Sequence, residues 1–448
     1  MTGQALGAKT RRRHVLSGAA GLSSAAGVSA FTAACGAART SQPAAGTPQP
    51  ARVEFLGRAP GVYEQTFVDL IRLFMQRHPH VTISYAHESG NFDEKYQTLI
   101  AAGQQPDVFF SSNAGFKYYV ARGVTVFLDD LAKKDRDFKE TDYEPYWMEL
   151  VKYKGRLSAL PYDPGAFVNY INKNHFQKAG IRAWDTRNPV TWEEVLEACK
   201  RLVVGSGSDV TRWAIDADFG RAWWQIPRQW GVLDVYDGDH HRLKLDDPQA
   251  LQALQWLADL RAKHRVAKPA GPAGAPFTFQ AGNLSIQTQG VQVVGFGTYR
   301  TLEDDWDWVP LPVFQGKKRV GMALASPTIM GAATKAKEAS WALMKFLAGP
   351  EAQAVCLERG ISQPMLKAQR NHPAFAKNKP PSTPDVPLNE TQYAVPPPMG
   401  PTYLDVNALM GRVMDPVYRG EQTAAQAIQA AQPEFKKILD DAKQRFTV

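Results

Sequence analysis

Apolar residues in this chain change period repeatedly between residues 51 and 110. The run "RVEFL" at 52–56 is read as a strand. Over 64–77, Phe67, Leu70, Ile71, Phe74 and Met75 recur at three- and four-residue spacing, which predicts a helix. His78-Pro79 stops it, because the residue before a proline disfavours the helical region. Val81, Ile83 and Tyr85 alternate and predict a second strand. Phe92, Tyr96, Leu99 and Ile100 form another helical stripe that ends at Gly103. "PDVFF" at 106–110 predicts a short buried strand. Strands alternating with helices imply a parallel sheet of the α/β class. Ligands of such sheets sit beyond the carboxyl ends of the strands. That rule nominates the loops at 57–63, 88–92 and 111–115.

Helical signals continue downstream. Thr191-Trp192-Glu193-Glu194 is a capping box, with Thr191 as N-cap and Glu194 reaching back to it. Asp246-Asp247-Pro248 opens a helix carrying Leu251, Leu254, Leu257 and Leu260. A Pro/Gly/Ala loop occupies 268–276. A helix over 338–348 closes at Gly349-Pro350. The Pro-rich stretch 372–401 is expected to be a long ordered loop wrapping a surface. An amphipathic helix over 423–446 carries Ile428, Phe435, Ile438 and Leu439. No internal repeat is present.

The first fifty residues follow a different pattern. Basic residues at 9–13 precede a weakly apolar run over 15–34 rich in Ala, Gly and Ser, and no acidic residue appears before Glu54. That order is a secretory signal, and the run lacks the sustained apolarity of a spanning helix. Arg12-Arg13-His14-Val15-Leu16 resembles the twin-arginine export signal. Thr32-Ala33-Ala34-Cys35 resembles the bacterial lipobox, in which the cysteine is lipidated and becomes the new N-terminus; Thr32 stands where Leu is commoner. The alternative is a plain cleaved signal near Ala34. Residues 35–50 have a tether's composition.

Composition is that of an ordinary globular protein, 44% hydrophobic and 21% charged. The net charge is +8, and removing Lys9, Arg11, Arg12 and Arg13 of the signal leaves +4. This balance is too mild to argue for nucleic acid. Trp and Tyr are plentiful, at 11 and 15. Cys199 and Cys356 are far apart in sequence; Cys199 falls at helical spacing from Val195 and is expected to be a buried thiol.

Four stretches, in order, carry a resemblance: "AAGQQPDVFFSSNAGFKYYVARGVTVFLDDL" at 101–131, "GRLSALPYDPGAFVNYINKNHFQKAGI" at 155–181, "TWEEVLEACKRL" at 191–202 and "EASWALMKFLAGPEAQAVCLERGISQP" at 338–364. Together they resemble the extracellular solute-binding proteins of ABC importers, in the sugar-binding family that includes maltose-binding protein. The resemblance covers nearly the whole chain after the signal. Tyr170-Ile171-Asn172-Lys173 departs from the family's Tyr-Asn-Lys by one residue. It implies a two-lobed periplasmic-binding-protein-like fold (class II). Lobe 1 would take 51–160 and 325–365, and lobe 2 161–320 and 366–448. The strand–helix pattern supports the first lobe independently. A monomer without cofactor or metal is expected, with a carbohydrate ligand and an ABC permease as partners.

A sugar needs polar partners for its hydroxyls and flat aromatic faces for its C–H surfaces. Candidate ligand contacts are therefore polar and aromatic residues in loops facing the cleft. Ser111, Ser112 and Asn113 follow the "PDVFF" strand, as ligand contacts or as the cap of the next helix. Tyr162 and Asp163 sit at the expected crossing, although Asp163-Pro164-Gly165 also fits turn chemistry. Of the adjacent Trp223 and Trp224, one is expected in the core and the other as a stacking platform. Gly297, Tyr299 and Arg300 correspond to the family's Gly-x-Trp segment, with Tyr299 in place of Trp. Arg58 and Tyr63 border the first cleft loop. Enzyme signatures are poor. "GFGTYR" is not a dinucleotide motif, His78/His80 and His240/His241 lack partner ligands, and no nucleophile elbow occurs. The rival readings are an exported carbohydrate-active enzyme with a Trp-rich cleft, and an adhesion or sensor protein on the same scaffold.

Overall fold

Strand β1 (Ala51–Arg58) buries Val53, Phe55 and Leu56, and pairs in parallel with β2 (Val81–Glu88) and β3 (Val108–Phe110). The coordinates are a computed structural model that describes residues 49–445, except 59–60, 89–91, 114, 218–221, 238–241, 293–298, 300–301 and 377–379. Helix Val62–Arg77 packs Phe67, Leu70, Ile71 and Phe74 onto this sheet, as their spacing requires. A small hairpin follows, β4 (Lys152–Tyr153) with β5 (Arg156–Leu157). Then comes β6 (Leu160–Asn172), thirteen residues that are all buried. The remaining strands are β7 (Trp213–Ile215), β8 (Leu284–Gly290), β9 (Trp306–Val309) and β10 (Ala323–Met330).

The strand order is β2-β1-β3-β10-β6-β8-β7, with β9 also on β6. Its first part is parallel, but β10 enters antiparallel between β3 and β6. The two ends of β6 have different neighbours. Leu160 to Ala166 pairs with β10, and Phe167 to Asn172 pairs with β8 and β9. The buried core divides along the same line. One cluster packs Phe55, Phe67, Phe110 and Tyr162 with Leu343, Met344 and Cys356 of the late helices. A second cluster joins Trp223 and Trp224 to helices Tyr403–Tyr418 and Ala424–Arg445, and another surrounds Trp192 and Cys199. A fourth holds Tyr170, Phe279, Tyr299, Trp306 and Trp308. Cys199 and Cys356 are free, buried thiols in different core clusters.

The sequence's capping signals have the predicted partners. Thr191 Oγ1 accepts from Glu194 N at 3.2 Å, and Thr191 N donates to Glu194 Oε2 at 2.7 Å. Asp247 Oδ1 accepts from Gln249 N at 2.8 Å, with Pro248 opening helix Pro248–Ala262. The Pro-rich stretch departs from the expected loop: it contains the short helices Pro373–Ala376 and Val386–Thr391. Asp307 holds it down through Ser382 N at 3.0 Å, and Trp308 Nε1 donates to Thr383 O at 2.6 Å. In lobe 2, buried His175 sets Nδ1 3.1 Å from Ser285 Oγ and Nε2 3.7 Å from Asp304 Oδ2. Burial, with Arg212 adding to it, pushes this imidazole down to about 4 against the pull of Asp304. Among the described residues no helix is long and apolar enough to cross a membrane.

Candidate functional site

β6 passes from one lobe to the other through "LPYDPG". Pro161 and Pro164, like Pro327 opposite Pro161, have no N–H to give to a ladder. The β6–β10 register slips there, with Asp163 opposite Ser326 and Pro161 opposite Pro327. Tyr162 is thus the extra residue of a bulge, and bulges re-aim side chains. Tyr162 turns toward helix Val62–Arg77, stacking on Phe67 with ring centroids 4.8 Å apart. Asp163 takes up the hydrogen bonds that the ladder has lost. Its Oδ1 accepts from Ser326 N at 2.5 Å and its Oδ2 from Tyr63 Oη at 2.7 Å. Arg58, at the carboxyl end of β1, lies with its guanidinium 5.9 Å from the Tyr63 ring centre. Burial pushes the Asp163 carboxyl up to about 6, against the Tyr63 and Ser326 hydrogen bonds and the Arg58 charge. Tyr63 is raised in turn, by burial first and by Asp163 second.

The segment after β3 adds two further ties. Asn113 Oδ1 accepts from Ala325 N at 3.1 Å, one residue from the Asp163 partner on β10. Ser112 acts as a helix cap, since Gly115 N donates to its Oγ at 2.9 Å. Its hydroxyl donates to Asp93 at 3.0 Å, and Tyr119 donates to the same carboxylate at 2.9 Å. Gly115 is required there, because a Cβ would lie 2.4 Å from Asp93 Oδ1. Ser111 is buried, and its N–H donates to Pro327 O at 2.8 Å. The second crossing, after helix Pro350–Glu358, is fastened to β6 by buried Gln363. Its N–H donates to Pro164 O at 2.9 Å, and its Oε1 accepts from Ala166 N at 2.8 Å.

On the lobe 2 side, helix Ala222–Trp230 buries both tryptophans. Trp223 Nε1 donates to Asn407 Oδ1 at 2.8 Å, and Trp224 Nε1 to Tyr403 Oη at 3.2 Å. Arg228 is buried with its guanidinium 5.2 Å from the Trp224 ring, and burial pushes it down to about 10. Tyr299 is buried among the lobe 2 aromatics and donates to Gln287 Oε1. Gly297, Arg300, Cys35, Arg12 and Arg13 lie outside the described residues.

The fold thus gathers Arg58, Tyr63, Asn113 and Asp163 about one bulge, and holds Trp223, Trp224 and Tyr299 in the other lobe. Sequence reasoning missed Ser326 and Gln363. Each sits in or beside a proline-containing run ("ASPT", "SQP") that carries no periodic signal. Among the described residues no group of three or more His, Cys, Asp or Glu is placed to hold a metal ion.

The family described as bacterial extracellular solute-binding protein matches residues 60–354. The lactose-binding protein of Rhizobium radiobacter is 23% identical over 278 residues, 60% of this chain and 62% of the relative. The sn-glycerol-3-phosphate-binding periplasmic protein of Rhizobium meliloti (strain 1021) is 25% identical over 213 residues, 45% of this chain and 48% of the relative. The match therefore spans less than two thirds of either relative. Among solved structures, the ABC substrate-binding protein Lmo0181 of Listeria monocytogenes, in complex with cycloalternan, superposes with a TM-score of 0.77. The identity is 18%, over 88% of this chain and 99% of that one. UgpB of Mycobacterium tuberculosis, in complex with glycerophosphocholine, gives 0.75 at 19% identity, over 88% and 99%. The fold is therefore the two-lobed α/β fold of periplasmic binding proteins, and these relatives are solute-binding proteins, not enzymes.

Proposed function

The chain belongs to the bacterial extracellular solute-binding proteins, and from that premise we propose that it captures a carbohydrate between its lobes and delivers it to the permease of an ABC importer. Lobe 1 takes 51–160 with 325–365, and lobe 2 takes 161–320 with 366–448. The observation that carries this reading is the crossing bulge. Its buried carboxylate, Asp163, is held by Tyr63 and Ser326 at the carboxyl ends of the lobe 1 strands. A carboxylate offers several acceptor sites, and this one has spare capacity for ligand hydroxyls.

In this reading Arg58, Ser112 and Asn113 meet the ligand from lobe 1, and Asp163 meets it from the crossing strand. Trp223, with Gly297 and Arg300, meets it from lobe 2. Tyr63, Ser111, Tyr162, Trp224 and Tyr299 stand behind them and fix their positions. Ligand touching both lobes favours the closed state by its differential affinity for it, and the permease reads the closed shape. The chain is exported through Arg12-Arg13, anchored by lipid on Cys35 and works as a monomer.

A thermal-shift screen against mono- and oligosaccharides, polyols and sugar phosphates tests the binding reading. A ligand at ~100 times its dissociation constant adds ~2.7 kcal/mol of stability. One compound that raises Tm and is recovered unchanged supports it, and no shift with any compound rejects it. For the anchor, Cys35→Ala is expected to release the protein from the membrane fraction.

A further inference from the structure

The β6–β8 ladder ends at Phe167 opposite Gly290. Past the end of the ladder the chain turns helically over 291–292, which brings the Gln292 side chain beside Gly165. The Gln292 carboxamide lies over both glycines. A Cβ on Gly165 would stand 2.4 Å from Gln292 Oε1, and one on Gly290 would stand 2.3 Å from the same atom. Neither glycine has a left-handed φ. These positions therefore need the absence of a side chain, not backbone freedom. Oε1 is buried without a partner, and among the described residues no hydrogen bond engages this carboxamide. A buried amide oxygen is normally paired, so an unpaired one beside a ligand site points to something that pairs with it.

Residues 163 and 165 share one face of β6. Gln292 thus covers the position next to Asp163, about 6–7 Å along the strand. A carboxamide carries no charge and both donates and accepts, whereas a carboxylate only accepts. Two neighbouring hydroxyls on a sugar ring satisfy this pair of groups. A phosphate or carboxylate brings acceptors alone and meets the negative charge of Asp163.

Resting on the solute-binding reading above, we propose that Gln292, cradled by Gly165 and Gly290, is a specificity-determining residue. It reads vicinal hydroxyls on a neutral part of the ligand and disfavours an anionic group there. Rotation about its last side-chain bond brings either amide atom to the ligand.

Calorimetric titration of the full chain with lactose, maltotriose and glycerol 3-phosphate provides the test. Wild type is expected to bind a neutral saccharide in preference to glycerol 3-phosphate. Gln292→Ala is expected to weaken that binding 10- to 100-fold while leaving the ligand-free Tm unchanged. Gly290→Ala displaces only the end of a flexible side chain. It is expected to weaken binding in the wild-type background and to change little in the Gln292→Ala background. Wild-type affinity in Gln292→Ala, or a preference for glycerol 3-phosphate, overturns the role of Gln292 and leaves the solute-binding reading in place. Binding of none of the three probes by wild type overturns both.

Discussion

The two walls flanking the crossing strand are positioned by different means. In lobe 1, short polar side chains are held by single hydrogen bonds between residues distant in sequence: Tyr63 to Asp163, Asp163 to Ser326, Asn113 to Ala325. In lobe 2, bulky indoles on one helix are held by packing, each with one N–H tied to helix Tyr403–Tyr418. The first wall depends on strand register and the second on filled volume. Substitutions should therefore act on the two walls in different ways.

The largest effect is expected from Trp224→Ala. Its side chain is fully buried, and emptying such a site costs ~3–5 kcal/mol. Urea unfolding checks this, and a loss below that of Tyr63→Phe would break the contrast. Next in size is an opposition in pH. The Asp163 carboxyl rises from 3.8 to about 6 on folding. Its contribution to stability is therefore full below pH 3.8 and is lost as pH rises through 6. The His175 imidazole falls from 6.5 to about 4. Its contribution is full above pH 6.5 and is lost as pH falls through 4. Each swing is on the order of 3 kcal/mol. Between pH 4 and 6, Asp163→Asn is expected to make stability increase more steeply with pH than in wild type, and His175→Gln to make it increase less or fall. Equal slopes in the two variants would contradict the opposition.

Smaller again is Tyr63→Phe, which removes one donor to a buried carboxylate at a cost of ~1.5–3 kcal/mol. It also raises the Asp163 pKa, an effect that NMR titration reads directly. The smallest is Thr191→Ala, which strips a helix cap far from both walls and costs ~1 kcal/mol. A shift in ligand affinity in this last variant would show that binding responds to parts of the fold outside both walls.

The same contrast explains what the sequence could show. β1, β2 and the helices around them were legible because one face is more buried than the other, which imposes a period on the residues, and β3 because it is a short apolar run. The capping residues Thr191 and Asp247 were legible because capping chemistry is local. β6 and β10 were not, since β6 is buried throughout, β10 at every position but Ser326, and both contain prolines, which normally argue against a central strand. Asp163-Pro164-Gly165 has the composition of a turn, and only a partner strand from residues 323–330 makes it a bulge. Arg58, Tyr63 and Asn113 could be nominated by their places in or beside loops at strand ends, and Asp163 by its place at the expected crossing. Ser326, Gln363 and Gln292 could not, because their roles arise from pairings that no local pattern records. Both adjacent tryptophans are buried, because helix Tyr403–Tyr418 covers the side that periodicity left open.

The place of β10 in the sheet also governs the order of assembly. It fills the gap between β3 and β6, although it is made long after both. Until residues 323–330 are available, β3 and β6 each present a bare row of backbone donors and acceptors, the kind of edge that recruits other chains. A nascent or truncated chain ending near residue 320 would therefore be sticky, and a shift toward aggregation is expected to end abruptly once the chain extends past Met330. Closing lobe 1 requires contacts of long sequence separation, which places this protein among slow folders.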